Sequence, residues 1–200
     1  MSIRDAVNIV VVGSKGSGKT TFALEWAEKM DRPCFLITYT DDRKTMYFKD
    51  LDIDHLVNLF PGDGKGLSTF GSYRSHKYRI NIHDLSNAEV FNAIYTYIRD
   101  STIIFDDASS FFNPQRSSEF MRIVTNTRHH SNDIIYLYHQ LDEIANSIIN
   151  HIKYLVLFKS GIRPHQKLKS FDCYDEIEIC FNEVLNENEI GYFRMIDIIS

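Results

Sequence analysis

Cysteine is scarce, with three thiols in 200 residues. Cys34, Cys173 and Cys180 form no C-x-x-C pair, and their odd number argues against a disulfide framework, so they read as buried or incidental thiols. No apolar run approaches the ~18 residues of a membrane-spanning helix. Met1–Ala6 has neither the apolar core nor the cleavage pattern of a signal peptide, and the expected location is the cytoplasm. Internal repeats and low-complexity linkers are missing as well. An excess of positive charge is also lacking: the net charge is −5, so any contact with nucleic acid has to come from a local patch. The spacing of His129, His130 and His139 fits no zinc pattern, which leaves them as surface or capping histidines. What remains is 44% hydrophobic and 24% charged, the balance of a globular protein, with residues 1–200 expected to form one domain.

The most informative stretch is Gly13-Ser14-Lys15-Gly16-Ser17-Gly18-Lys19-Thr20, which matches the phosphate-loop pattern G-x-x-x-x-G-K-[ST] at every fixed position. The glycines let the backbone bring its N–H groups close to phosphate oxygens. These amides run into Thr21 and the start of a helix, whose free donors and dipole favour an anion. Lys19 adds a point charge on the β- and γ-phosphates, and the Thr20 hydroxyl is a hard ligand for Mg²⁺. Lys15, inside the loop, points to a phosphate, to a neighbouring subunit or to solvent.

Around this loop the pattern alternates strand and helix. Val7–Val12 is an apolar run of the kind buried on both faces of a parallel sheet. Helix is predicted from Thr21 to Met30, ending before Pro33, and strand from Cys34 to Thr40. Residues 41–60 mix charge and aromatics, and 61–71 read as a glycine-rich loop. A strand is expected over Lys77–His83. Ser86 and Glu89 form a capping-box signature ahead of a helix carrying Val90, Phe91, Ile94 and Ile98. Thr102–Asp107 is a strand ending in two carboxylates. Asn113-Pro114 is a break, Glu119–Arg128 a helix, Ile134–Tyr138 a strand, Asp142–Ile149 a short helix and Ile152–Phe158 a strand. A basic loop over Arg163–Lys169, a helical or mixed segment over Phe171–Leu185 and a closing strand over Tyr192–Ile198 complete the same domain. The class is α/β, with a mostly parallel central sheet flanked by helices.

A phosphate loop needs a carboxylate on a neighbouring strand to hold Mg²⁺, and Asp106 suits that role. Asp107 is placed to polarise an attacking water. Gln140 ends its strand where ligands of open α/β sheets collect, and its amide can donate to a γ-phosphate and accept from water. Arg128 either reaches the γ-phosphate of a neighbouring subunit or caps its own helix C-terminus. The loop cations Arg43, Lys44, Lys65, Arg163, Lys167 and Lys169 are candidates for gripping a nucleic-acid backbone.

Taken together, Gly13–Thr20, Ile103-Ile104-Phe105-Asp106-Asp107, and Asn126-Thr127-Arg128-His129-His130 followed by Ile134–Gln140 resemble the genome-packaging ATPases of the HerA/FtsK superfamily encoded by small double-stranded DNA viruses. The arginine 12 residues before a strand-terminal glutamine is similar to that family's arginine finger and polar sensor. Where the family usually has Glu, this chain has Asp107. The resemblance implies a RecA-like P-loop fold of the compact single-domain type, in which the Gln140 strand lies between the phosphate-loop strand and the Asp106 strand. It implies ATP and Mg²⁺ as ligands and a homo-oligomeric ring of five or six subunits, with Arg128 acting across the boundary. Double-stranded DNA gripped by loops after the second strand, which favours Arg43 and Lys44, and a capsid portal or vertex protein are the implied partners. The implied place of action is the host cytoplasm and the capsid vertex. Two rival readings are a nucleotide or nucleoside kinase, with Asp41, Asp42 or Arg43 at its acceptor site, and a non-hydrolysing, nucleotide-dependent assembly module.

Overall fold

A computed structural model of the chain describes residues 6–39, 47–53, 56, 77–82, 86–111, 118–161, 163–164 and 166–198. Its centre is an eight-stranded sheet: β1 (Asn8–Val12), β2 (Cys34–Thr38), β3 (Lys49–Asp50), β4 (Lys77–Asn81), β5 (Thr102–Phe105), β6 (Asp133–Tyr138), β7 (Tyr154–Phe158) and β8 (Phe193–Asp197). The spatial order is β3-β4-β2-β5-β6-β1-β7-β8. All pairings are parallel except that of β7 with β8. Parallel strands with both faces covered are largely apolar, and β1, β2, β5 and β6 are buried at every position, with Asn8, Thr38, Thr102 and Asp133 as buried polar residues at their ends.

Alternation along each strand divides the core in two. Val10, Val12, Phe35, Ile37, Phe105, Tyr136 and Leu157 face one side, with helices α2 (Asn87–Tyr97), α3 (Ser118–Thr125) and α6 (Tyr174–Asn186). Ile9, Val11, Leu36, Ile104, Ile135, Leu137 and Phe158 face the other, where Ala23 and Ala27 of α1 (Lys19–Lys29) pack against them. Phe35, Phe91 and Phe105 are fully buried, and each stabilises the fold by about 1.5–3 kcal/mol relative to exposure. Burial raises the Cys34 thiol to about 12 and pushes Cys173 and Cys180 upward, which disfavours the thiolate in each.

The expected strands and helices are present, with three differences. The helix predicted over Glu119–Arg128 is divided: α3 ends at Thr125 and a short α4 (Thr127–His130) follows. The physical reason is local: Thr125 Oγ1 donates to Met121 O at 2.7 Å and Asn126 Nδ2 to Arg122 O at 2.8 Å, so side chains compete for the carbonyls of the last turn. The segment read as a helix over Asp142–Ile149 is a 3-10 turn (Leu141–Glu143) followed by α5 (Asn146–Ile149). The two-residue β3 has no sequence signature; Arg79 Nε of β4 donates to Asp50 Oδ1 at 2.7 Å and holds it to the edge. The stretch over 57–76 and the Asn113-Pro114 break lie outside the described residues. Among the described residues no helix is long and apolar enough to cross a membrane.

Candidate nucleotide-binding site

Strand β1 hands the chain to the phosphate loop at Gly13, whose N–H donates to Tyr138 O at the end of β6, 3.2 Å away. Ser14 then turns to the opposite neighbour, and its N–H and hydroxyl donate to Lys159 O just past β7 at 2.9 and 3.0 Å. The loop mouth is therefore slung between the two strands flanking β1. A Cβ on Gly13 would stand 2.6 Å from both Phe158 Cβ and Ser17 Oγ, which is why no larger residue fits. Gly16 (φ 82°) and Gly18 (φ 109°) take left-handed backbone conformations that a side chain would strain, and Gly18 caps α1, Phe22 N–H donating to its carbonyl at 2.9 Å. The first-turn amides of α1, from Lys19 to Thr21, are presented at the loop's edge as an anion site.

Lys19 is only 8% exposed, and a cation so buried must be paired. Its ammonium donates to Gly13 O at 2.5 Å and Ser14 O at 3.0 Å, and stands 3.5 Å from His139 Nδ1. Phosphate oxygens arriving on the loop amides would meet this ammonium directly.

The strand order puts β6 between β1 and β5. Val12 is level with Tyr138, and Phe105 with Tyr136, so Asp106 follows β5 two strand spacings from the loop, about 10 Å across the sheet. Asp106 is half-buried, its N–H donating to Ile37 O at 3.0 Å. Gln140, half-buried, stands two residues past Tyr138, between the two strand ends. Glu143 fixes this corner, its Oε2 accepting from His139 N–H at 3.1 Å and Gln140 N–H at 3.2 Å. The role of Glu143 was readable from the Q-x-x-E capping pattern, and that of His139 was hidden by its unremarkable spacing.

Asp107 departs from its neighbour. Its backbone is left-handed (φ 54°), a conformation Asp tolerates better than most residues, and its carboxylate oxygens accept from Ser109 Oγ and Ser110 Oγ, each at 2.8 Å. Sequence reasoning missed both serines, though a hydroxyl two or three residues past an aspartate is a turn signal.

Arg128 belongs to α4, at the start of β6, whereas the phosphate loop lies beyond its end. A six-residue strand spans about 20 Å, so α4 and the loop occupy opposite edges of the same sheet. The side chain of Arg128 lies outside the described residues, as do Arg43, Lys44 and Lys65. Arg163 is exposed in the connection after β7, and Lys169 places its ammonium 6.0 Å from the Tyr174 ring centroid.

Among the described residues no group of three or more His, Cys, Asp or Glu side chains is gathered to hold a metal. Thr20 and Asp106 supply one hydroxyl and one carboxylate oxygen. That sparse, hard donor set fits Mg²⁺, which keeps waters and takes phosphate oxygens for its other ligands.

No protein-family profile and no curated protein matches the chain. Solved structures do. The genome packaging NTPase B204 from Sulfolobus turreted icosahedral virus 2, in complex with AMPPCP, is similar at a TM-score of 0.67 and 13% identity over 99% of this chain and 94% of that one. The same protein in complex with sulfate gives a TM-score of 0.69 at 12% identity, over 100% and 94%. VirB4 of Thermoanaerobacter pseudethanolicus is similar at 0.58 and 11%, over 99% and 90%. The chain described here shares the fold of these structures, a P-loop NTPase fold with a mostly parallel sheet flanked by helices.

Proposed function

We propose that this chain is the subunit of an ATP-driven motor that moves double-stranded DNA into a viral capsid. The observation that carries the reading is the insertion of β6 between β1 and β5, which puts Gln140 between a complete phosphate loop and a strand-terminal carboxylate. The fold likeness to a genome packaging NTPase over 99% of the chain supports it.

In this reading the loop amides of Gly13–Thr20 and the Lys19 ammonium hold the β- and γ-phosphates. Thr20 and Asp106 are the residues that would hold Mg²⁺, which supplies charge neutralisation on those phosphates when bound. Asp107 accepts a proton from a water that attacks the γ-phosphorus in line. The new P–O bond forms as the bond to the β-phosphate oxygen breaks, giving ADP and phosphate. Gln140 donates to a γ-phosphate oxygen and accepts from the attacking water.

Because α4 and the loop lie at opposite edges of the sheet, Arg128 serves the site of an adjacent copy, which requires a head-to-tail ring of five or six subunits. A capsid portal or vertex protein is the proposed docking partner. Arg43, Lys44 and Arg163 are the proposed contacts to the DNA backbone.

Phosphate release from ATP and Mg²⁺, measured with and without duplex DNA, tests the reading. Turnover raised by DNA is expected. Turnover indifferent to DNA, or transfer of the γ-phosphate to a nucleoside acceptor, would contradict it.

A further inference from the structure

His139 stands at the mouth of the phosphate loop and takes no part in the proposed hydrolysis. It is the first residue past β6, and the backbone on both sides of it is anchored. Gly13 N–H donates to Tyr138 O at 3.2 Å, and the N–H groups of His139 and Gln140 both donate to Glu143 Oε2, at 3.1 and 3.2 Å. The half-buried ring is therefore carried on a fixed corner between the loop and the end of β6.

That corner faces the loop cation. His139 Nδ1 lies 3.5 Å from Lys19 Nζ. An ammonium has protons to give and no lone pair, so Nδ1 meets it with a lone pair and the ring carries its proton on Nε2. The ammonium is shared between two walls. Gly13 O at 2.5 Å and Ser14 O at 3.0 Å hold it to the first residues of the loop, and His139 draws it toward β6. At 3.5 Å the imidazole contact is loose, so it aims the ammonium without binding it as firmly as a phosphate oxygen would. Direction matters here. The strand order places Gln140 and Asp106 on the β6–β5 side of the loop, so a terminal phosphate that meets Gln140 lies on that side, whereas the phosphate before it lies on the loop amides.

We infer that His139 is a positioning residue: its neutral ring accepts from Lys19 through Nδ1 and turns the ammonium toward the terminal phosphate, so that the site distinguishes a nucleoside triphosphate from a diphosphate. Orientation of a charge already present in the loop is all that this requires. The inference rests on the phosphate-loop reading, and its test separates the two. ATP and ADP are titrated in parallel, with Mg²⁺ present, against the full-length wild-type chain, His139→Leu, His139→Asn and Lys19→Ala. Leucine fills the space with no acceptor. Asparagine carries an acceptor at the same number of bonds from the backbone as Nδ1 and so keeps the contact. The expected result is that His139→Leu weakens ATP about tenfold while ADP stays within about twofold, and that His139→Asn returns ATP to within about threefold of the wild type. Lys19→Ala weakens both nucleotides. Retained ADP affinity in His139→Leu also reports an intact loop, which a merely unfolded variant would not show. ATP affinity unchanged in His139→Leu, ATP and ADP weakened equally, or His139→Asn as weak for ATP as His139→Leu would overturn the positioning role and leave the phosphate loop standing. Wild-type protein that binds neither nucleotide, or Lys19→Ala that binds both as the wild type does, would overturn both.

Discussion

Gly13 shows how tightly the site is fitted at the scale of one residue. Its missing Cβ leaves room for Phe158 and Ser17, whose atoms would otherwise be 2.6 Å away. Gly13→Ala is therefore expected to cost about 1–3 kcal/mol by overpacking, read as a lowered urea midpoint at constant slope. His130 makes a pH prediction. Burial first, then electrostatic repulsion from Arg99 and His129, holds its pKa down to about 4, against about 6.5 in an unfolded chain. Between those values the unfolded chain takes up a proton that the folded chain refuses, so stability falls as pH drops from about 6.5 to about 4. Because the ring is half-exposed, solvent screening reduces the effect to the order of 1 kcal/mol. Urea melts at pH 7 and pH 5 should show a smaller acid loss for His130→Gln than for the wild type. Phosphate-loop residues were legible in the sequence because each has a fixed spacing. Ser109 and Ser110 were not, because they act on Asp107 through short local hydrogen bonds that also occur in ordinary turns.

Among the elements, helix α2 and strand β6 carry the clearest expectations. The capping box is formed as its sequence indicated: Glu89 N–H donates to Ser86 Oγ at 3.3 Å, and Ser86 N–H to Glu89 Oε2 at 2.9 Å. Ser86→Ala should cost about 1 kcal/mol in a denaturant melt, with nucleotide affinity unchanged. Strand β6 acts differently, because it brings Gln140 to the site without contributing to the phosphate loop. Gln140→Ala is expected to lower kcat about 100-fold while ATP affinity stays within about twofold, by single-turnover hydrolysis and equilibrium titration. Largely apolar runs such as Val7–Val12 and Ile134–Tyr138 made the strands readable. Their spatial order was not, since any arrangement of apolar parallel strands satisfies the same burial. It followed only from the resemblance carried by the Arg128–Gln140 spacing. The division between α3 and α4 escaped detection because Phe120, Ile123 and Val124 keep helical spacing up to the point where Thr125 and Asn126 turn their side chains onto the backbone.

For the whole molecule, the sheet has two working edges. The phosphate loop, Asp106 and Gln140 occupy one, and α4 with Arg128 occupies the other. The proposed assembly, in which one copy completes the next, is built on that separation. Two inactive variants measure this directly. Lys19→Ala lacks the phosphate-loop cation but keeps Arg128, whereas Arg128→Ala keeps an intact loop and is expected to bind ATP normally with turnover reduced about 10³-fold or more. Each is assayed alone for phosphate release with DNA present, and then both are mixed in equal amounts. The account predicts that the mixture recovers a substantial part of wild-type turnover, because boundaries form in which an intact loop meets an intact arginine. A mixture as inactive as its components, or an Arg128→Ala variant as active as the wild type, would contradict it.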